Sequence, residues 1–516
     1  MSRALRILFA VIVLFGGVVP LSGAENPTLT RGTAITDPDL LRKLDQDDAL
    51  TLSRLLWPER NANFPLTTDM MFAWLPQLAP IPAAIDAEFD RYIARHKAVA
   101  PEETIGVGEG FDVQLFDRAS LTSKDTRFVL AGIVNRMDRA WVSEESCGEI
   151  RLIYRLARFD AHADGKTATR LPMTLNLVMK ANDARLTGPG GKPFTCAEIA
   201  RRWLDNGDWK GLIAGHVYPS DAMIDRIETN IQIAIAPKSA LHEFRADYLL
   251  KVFKYNAATR QFEESTLENQ IDRDRILADD ALRRDFKAWL LAPENLRAFD
   301  RGTVLIPEKF LARAAVAPTP AGFDASDLQP AFGMMQGEGR GEGKGEGDPV
   351  FTDDDVVGAL KQAAARGDLQ NLRSVAGFRR RLNDVTCSGC HQTRGIGGFH
   401  FPGVDWLAEK PGSSAVVAAS PHFLGDQLRR RDILTAFVAG NRPDFSRGFS
   451  SRPQTRGSLE LAGTEYQDGW GAHCYLQNGG SGTADRSFMS WTCAKGLTCQ
   501  PASASSRIGM CFIKTR

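Results

Sequence analysis

The chain has no excess charge of either sign: 63 Lys and Arg balance 63 Asp and Glu over 516 residues. Nucleic-acid binding draws much of its affinity from clustered basic charge, so nothing in the composition points to such a partner. Beyond residue 24 there is no apolar run long enough to span a bilayer. The chain also lacks a nucleophile elbow, a P-loop, a zincin helix and a dinucleotide fingerprint, so the most readable signatures of hydrolase, NTPase and dehydrogenase chemistry are missing.

What is present begins at the N-terminus. Arg3 and Arg6 form a short positive region, Ile7 to Leu21 carries no charge, and Ser22-Gly23-Ala24 supplies small residues before Glu25. This is the pattern of a cleaved secretory signal over residues 1–24, without a cysteine at the cleavage point to take a lipid. The expected compartment is oxidising, periplasmic or secreted. All eight cysteines follow the signal: Cys147, Cys196, Cys387, Cys390, Cys474, Cys493, Cys499 and Cys511. An even number suits export. Cys147 and Cys196, alone in their region, are expected to form a disulfide.

Residues 333–349 form a linker in which Gly337 to Gly347 alternates glycine with charge and offers nothing to bury. Before it, residues 38–98 read as helical. Arg127 to Asn135, Ile150 to Arg155, Leu171 to Met179, Ile231 to Ile235, Phe244 to Tyr255 and Arg260 to Ser265 read as strands, the last two flanking a turn at Asn256 to Thr259. Helices are expected at Cys196 to Trp203 and Arg273 to Leu291. Asp138, Glu149 and Arg151 read as solvent-facing charges rather than site residues. After the linker, Thr352 with Asp355 forms a capping box, a helical stretch at Leu369 to Leu382 runs up to Cys387, and Leu424 to Val438 is a third. From residue 456 the chain is cysteine-dense and poor in apolar residues, so disulfides must hold it.

The chemistry-bearing motif is Cys387-Ser388-Gly389-Cys390-His391. In C-x-x-C-H the two thiols add across the vinyl groups of haem, and the adjacent histidine falls beneath the iron as proximal ligand. Cys387 and Cys390 are the expected thioether residues and His391 the axial ligand. Two alternatives stay open: a Cys387–Cys390 disulfide with an incidental histidine, and a zinc site completed by His400 and His422. A thioredoxin-like pair is disfavoured, because no βαβ pattern surrounds the motif.

The stretch Cys387 to Gly398, followed by Pro402, resembles class I cytochromes c, over about residues 350–445. The resemblance implies a helix before the motif, a glycine-bearing loop after it and a closing C-terminal helix. It also implies that the Pro402 carbonyl accepts the other ring N–H of His391, which would fix the imidazole tautomer. One departure matters: that family takes a downstream methionine as second axial ligand, and no methionine lies between the motif and Met489. His422 is the preferred distal candidate, with His400, His473, Met489 and Met510 behind it; an open distal position is the alternative. Arg379-Arg380-Arg381 and Arg429-Arg430-Arg431 read mostly as solvated helix faces, with a haem propionate or an acidic partner as the functional alternative. Phe399 and Trp406 read as packing residues.

The expected architecture is therefore an α+β domain of unassigned role at 25–332, an all-α cytochrome c-like haem domain at 350–455 and a small disulfide-rich tail at 456–516. Three functions follow: electron transfer to a redox partner protein through one haem c, a haem enzyme of peroxidase or oxygenase type with an open iron, or a disulfide-stabilised binding protein without haem.

Overall fold

A computed structural model describes residues 34–35, 38–46, 50–57, 65–143, 146–159, 168–182, 191–205, 223–236, 245–319, 350–372, 374–387, 421–446, 473–478, 484, 492–493, 497–501 and 507–513. The signal pattern and the whole of the Gly-rich linker lie outside them. No helix among the described residues is long and apolar enough to cross a membrane.

The centre of the molecule is a ten-stranded sheet, antiparallel except for one short pair. Its strands are β1 (Ala34–Ile35), β2 (Ile105–Gly106), β3 (Val113–Leu115), β4 (Thr126–Arg136), β5 (Glu149–Phe159), β6 (Ala168–Lys180), β7 (Ile224–Ala236), β8 (Arg245–Asn256), β9 (Gln261–Ser265) and β10 (Ala314–Thr319). Strands β4 to β8 are consecutive neighbours; β9 and β10 both pair with β8. The period-two alternation read from the sequence sets the two faces. Ile150, Leu152, Tyr154 and Leu156 of β5, Leu175 and Leu177 of β6, and Leu249 and Phe253 of β8 enter one buried core. Each large apolar side chain removed from water there contributes roughly 1.5–3 kcal/mol.

Helices α1 (Pro38–Gln46), α2 (Leu52–Leu56), α3 (Thr68–Trp74) and α4 (Pro80–Val99) supply the other side of that core through Leu41, Leu55, Met71, Ile85 and Phe89. Asp45 of α1 is fully buried at the sheet edge, where it accepts from the Leu130 N–H (3.1 Å) and from Arg127 Nη1 (2.8 Å). That satisfies an edge donor that would otherwise be stranded. Between α4 and β8 the interface is polar: Lys251 Nζ meets Glu88 (2.7 Å) and Glu264 (3.1 Å), and Tyr92 donates to Asp247 (2.5 Å). Helix α5 (Cys196–Leu204) starts at a Thr195–Glu198 capping box and is tied to the start of β5 by the expected Cys147–Cys196 disulfide.

A second core is helical. It gathers α6 (Arg273–Ala278), α7 (Asp280–Leu291), α8 (Pro293–Arg301), α9 (Asp353–Ala365) and α10 (Val375–Val385) around Phe286, Leu290, Phe299, Phe310, Phe351 and Phe378. The single helix expected over Arg273 to Leu291 breaks because Asp279 leaves helical geometry. Its carboxylate then caps the Ala281 and Leu282 N–H groups and starts a new helix. The Thr352–Asp355 capping box opens α9 as read from the sequence.

The expected three-part architecture is not the observed one. Residues 350–385 do not build an all-α unit of their own; their apolar faces complete the core begun by α6 to α8, from before the linker. Asp300 of α8 reinforces this. It is fully buried and its carboxylate accepts the N–H groups of Gln370 (3.0 Å), Asn371 (2.7 Å) and Leu372 (2.7 Å). The third post-linker helix, α11 (Pro421–Val438), packs on α5 instead of closing a cytochrome fold, and its Leu434 joins the core of the large sheet. The tail forms a small antiparallel sheet of β11 (His473–Tyr475), β12 (Leu497–Pro501) and β13 (Ile508–Ile513), with a Cys474–Cys499 disulfide and Tyr475 buried in the helical core. Amphipathic helices must bury an apolar stripe, but their pattern does not say against what.

Candidate functional site

The motif begins where α10 ends. Val385 is the last residue of α10, Thr386 is buried, and Cys387 is half-buried at the start of a new helical turn. The Cys387 thiol, outside any disulfide, lies 3.5 Å from the Glu268 carbonyl oxygen. It packs beside Leu250, Val252, Leu267 and Ala315. Cys390, His391, Phe399, His400, Pro402 and Trp406 lie outside the described residues. His422 lies in the first turn of α11 and His473 on β11, opposite Met510; the described structure does not include their side chains. Among the described residues, no group of three or more His, Cys, Asp or Glu could hold a metal ion.

Leu250, Val252 and Ala315 belong to the sheet face turned away from the large core. Strand register extends that face across the sheet. Arg155, Thr174, Asn230, Leu250 and Ala315 form one row, and Arg151, Val178, Arg226 and Lys254 another. The face is apolar under Cys387 and polar beyond it. Thr174 Oγ1 and Asn176 Oδ1 are buried on it without a hydrogen-bond partner among the described residues. Thr174 stands two strands, about 10 Å, from Leu250. The thiol thus rests on an apolar patch that is itself buried, with buried polar groups and ion-paired arginines farther along the same face.

The arginines form a buried network. Glu149, at the start of β5, accepts from Arg139 Nε (2.9 Å), Arg151 Nη2 (2.9 Å) and Arg226 Nη2 (3.0 Å). Arg151 reaches on to Glu228 (3.1 Å), and Arg226 holds both Glu228 (2.9 Å) and Asp225 (2.6 Å). Arg139 completes the path to the motif by gripping both carboxylate oxygens of Glu268 (2.9 and 2.5 Å), whose carbonyl faces Cys387. Burial opposes charging of Glu149, but Arg226, Arg151 and Arg139 outweigh it and hold its carboxyl well below the usual range. Glu228 is lowered in the same way, with burial again opposing and Arg151 and Arg226 prevailing. Burial pushes the Arg151 guanidinium down despite its two carboxylate partners.

Local sequence explains how these charges meet. Glu149 and Arg151 are two apart on β5, Arg226 and Glu228 two apart on β7, so each pair shares a face. Both strands pair with β6, which sets the distance between them. Gly148 is required at the entrance to β5. Its φ is +88°, and a Cβ there would lie 2.4 Å from the Arg136 carbonyl oxygen, so only glycine lets β5 begin against the end of β4.

The reading of Asp138, Glu149 and Arg151 as solvent-facing strand charges is thereby corrected: all three are buried or half-buried in ion pairs. Asp138 lies in the 3-10 turn Met137–Val142, 5% exposed, and accepts from Arg136 Nε (2.8 Å) and Arg429 Nη2 (2.9 Å). The reading of the arginine triplets as solvated faces also fails for most of them. Arg381 is buried and donates to the Asp300 carbonyl, Arg379 pairs with Asp353, and Arg430 is buried 4.0 Å from Asp138; Arg431 is exposed. The sequence signal that could have found the network is the opposed order of charge, Glu-x-Arg on one strand and Arg-x-Glu on the other.

No family model, curated protein or solved structure matches the chain.

Proposed function

We propose that this chain is an exported c-type haem protein: Cys387 and Cys390 attach one haem through thioethers, and His391 is the proximal ligand of its iron. The observation that carries the reading is the C-x-x-C-H motif, whose first thiol stands over the Leu250, Leu267 and Ala315 shelf beside the Arg139–Glu268 pair. The resemblance of the motif region to class I cytochromes c supports the chemistry of attachment, not that family's fold. Haem supplies a one-electron couple at its iron when bound. The chain's own part is to bind and orient. Cys387 and Cys390 fix the position, and the apolar residues beside Cys387 exclude water from one side. The role that follows is electron transfer with a redox partner protein in the periplasm or outside the cell.

A second reading is a haem enzyme with an open distal position. It is favoured by the absence of any methionine between the motif and Met489. His422, on α11, is the residue that would close that position and favour electron transfer.

The test is the absorption spectrum of full-length protein produced with a haem-attachment system in the periplasm. A Soret band that survives acid–organic extraction, and is lost in Cys387→Ala and Cys390→Ala, is expected. Its absence from the wild-type protein overturns the reading in favour of a disulfide-stabilised protein without haem. Carbon monoxide binding to the ferrous form then separates the two haem roles. Slow or absent binding means two axial ligands; rapid binding means an open iron.

A further inference from the structure

The large sheet is built differently on its two faces. On the core face β6 presents Met173, Leu175 and Leu177, all buried and apolar. On the other face the same strand presents Thr174 and Asn176. Its neighbours add Arg151 and Arg155 from β5 and Arg226, Glu228 and Asn230 from β7. Register sets Thr174 directly between Arg155 and Asn230, and Asn176 between Ile153 and Glu228, with strands about 4.8 Å apart. Thr174 is 1% exposed, and Arg155 and Asn230 are buried beside it. Strands covered on both faces ordinarily read apolar on both, so a buried polar patch on three central strands serves something other than packing.

Thr174 Oγ1 and Asn176 Oδ1 are buried and make no hydrogen bond among the described residues. A buried polar atom left in this way costs folding free energy, and two on one strand face call for a molecule that satisfies both. The charges nearby are spent on each other. Arg151 meets Glu228 at 3.1 Å, Arg226 meets Glu228 at 2.8 Å, and Arg155 Nε donates to the Leu171 carbonyl at 3.3 Å. The hydroxyl and the carboxamide match a neutral partner able both to donate and to accept. Spacing narrows the choice. Residues two apart on a strand stand about 6.8 Å from each other. One bridging oxygen with hydrogen bonds of about 2.8 Å joins groups no more than about 5.6 Å apart. A pair of hydroxyls on adjacent carbons closes the difference. The patch is reached from the Asn176 end: Asn176 is half-buried, and the Arg151 and Glu228 side chains beside it are 17% and 22% exposed.

We propose that this patch is the floor of a binding site for a neutral polyol or saccharide, with two adjacent hydroxyls of the ligand held by Thr174 and Asn176. Arg155 and Asn230 flank the inner hydroxyl, and Glu228 and Arg151 stand at the mouth. The site uses β5, β6 and β7 alone, so it holds whether or not the chain carries haem. A site built to hydrogen-bond a hydroxyl discriminates strongly against losing that bond, because its own polar group is then stranded again.

The experiment titrates full-length protein by calorimetry with D-glucose, D-galactose, N-acetyl-D-glucosamine and myo-inositol at millimolar concentrations, with sodium acetate and glycine as charged controls. At least one of the polyols should bind. Thr174→Val and Asn176→Leu should each weaken that binding about tenfold, the effect of one lost hydrogen bond. Thr174→Ser keeps the hydroxyl and should retain the affinity. Thermal unfolding without ligand gives a second reading. The valine is isosteric and removes a hydroxyl that has no partner, so the Tm of Thr174→Val should hold or rise. A fall in that Tm would mean the hydroxyl is already satisfied in the free protein, and it overturns the site. Failure of all four polyols to bind also overturns it and leaves ordered water as the occupant. Binding of acetate or glycine in place of the polyols overturns the neutral ligand. Polyol binding that neither Thr174→Val nor Asn176→Leu weakens places the ligand elsewhere and overturns the assignment to this patch.

Discussion

Replacing Glu149 by Gln removes one negative charge shared by three arginines while keeping the side chain's shape. Breaking a buried ion pair costs about 3–5 kcal/mol when the partner is left uncompensated. Here each arginine keeps another carboxylate: Arg139 keeps Glu268, Arg151 keeps Glu228, and Arg226 keeps Glu228 and Asp225. Glu149 is also 14% exposed, so solvent screens part of the interaction. The expected cost is therefore at the lower end, about 3 kcal/mol at pH 7. It should be read as a fall in the urea midpoint at unchanged slope. The pH dependence has a definite sign. The Glu149 carboxyl is depressed in the folded protein, so its contribution is fully present above the unfolded carboxyl value, about 4.3, and is lost as pH falls through the lower folded value. The gap between wild type and Glu149→Gln should be widest above about pH 5 and should close on further acidification. A double-mutant cycle with Arg226→Gln should show coupling above about 0.5 kcal/mol. Strict additivity of the two substitutions, or a gap that does not change with pH, would refute the network as a set of interacting charges.

Two further outcomes follow from the fold. Replacing Cys147 and Cys196 with serine opens a 49-residue loop between β5 and α5, and chain entropy sets the loss at about 4 kcal/mol, measured by thermal or urea unfolding against the oxidised protein. Asp300→Ala strands three backbone N–H groups at residues 370–372 and should raise amide exchange there and in α10 while leaving β5 and β6 protected; unchanged exchange in α10 would show that Phe299 and Phe378 alone hold that helix.

The sequence alone determined the local elements, because periodicity and capping act within a few residues. The strands β4 to β9 and the Thr352 capping box lay in that local pattern, and the Cys147–Cys196 disulfide followed from there being no other cysteine before the linker. The motif at 387–391 was legible for the same reason: its chemistry needs no more than five consecutive residues. Which helix covers which surface was decided only by the tertiary structure. The apolar stripes of α9 and α10 are buried against α6 to α8, and α11 packs on α5; an amphipathic pattern does not name its partner. The charge network was hidden for a related reason. Glu149 and Arg151 look solvent-facing on a strand taken alone, and they become buried partners of Arg226 and Glu228 only once β6 places the two strands on either side of it and the turn at Asp138-Arg139 brings Arg429 and Glu268 to the same face.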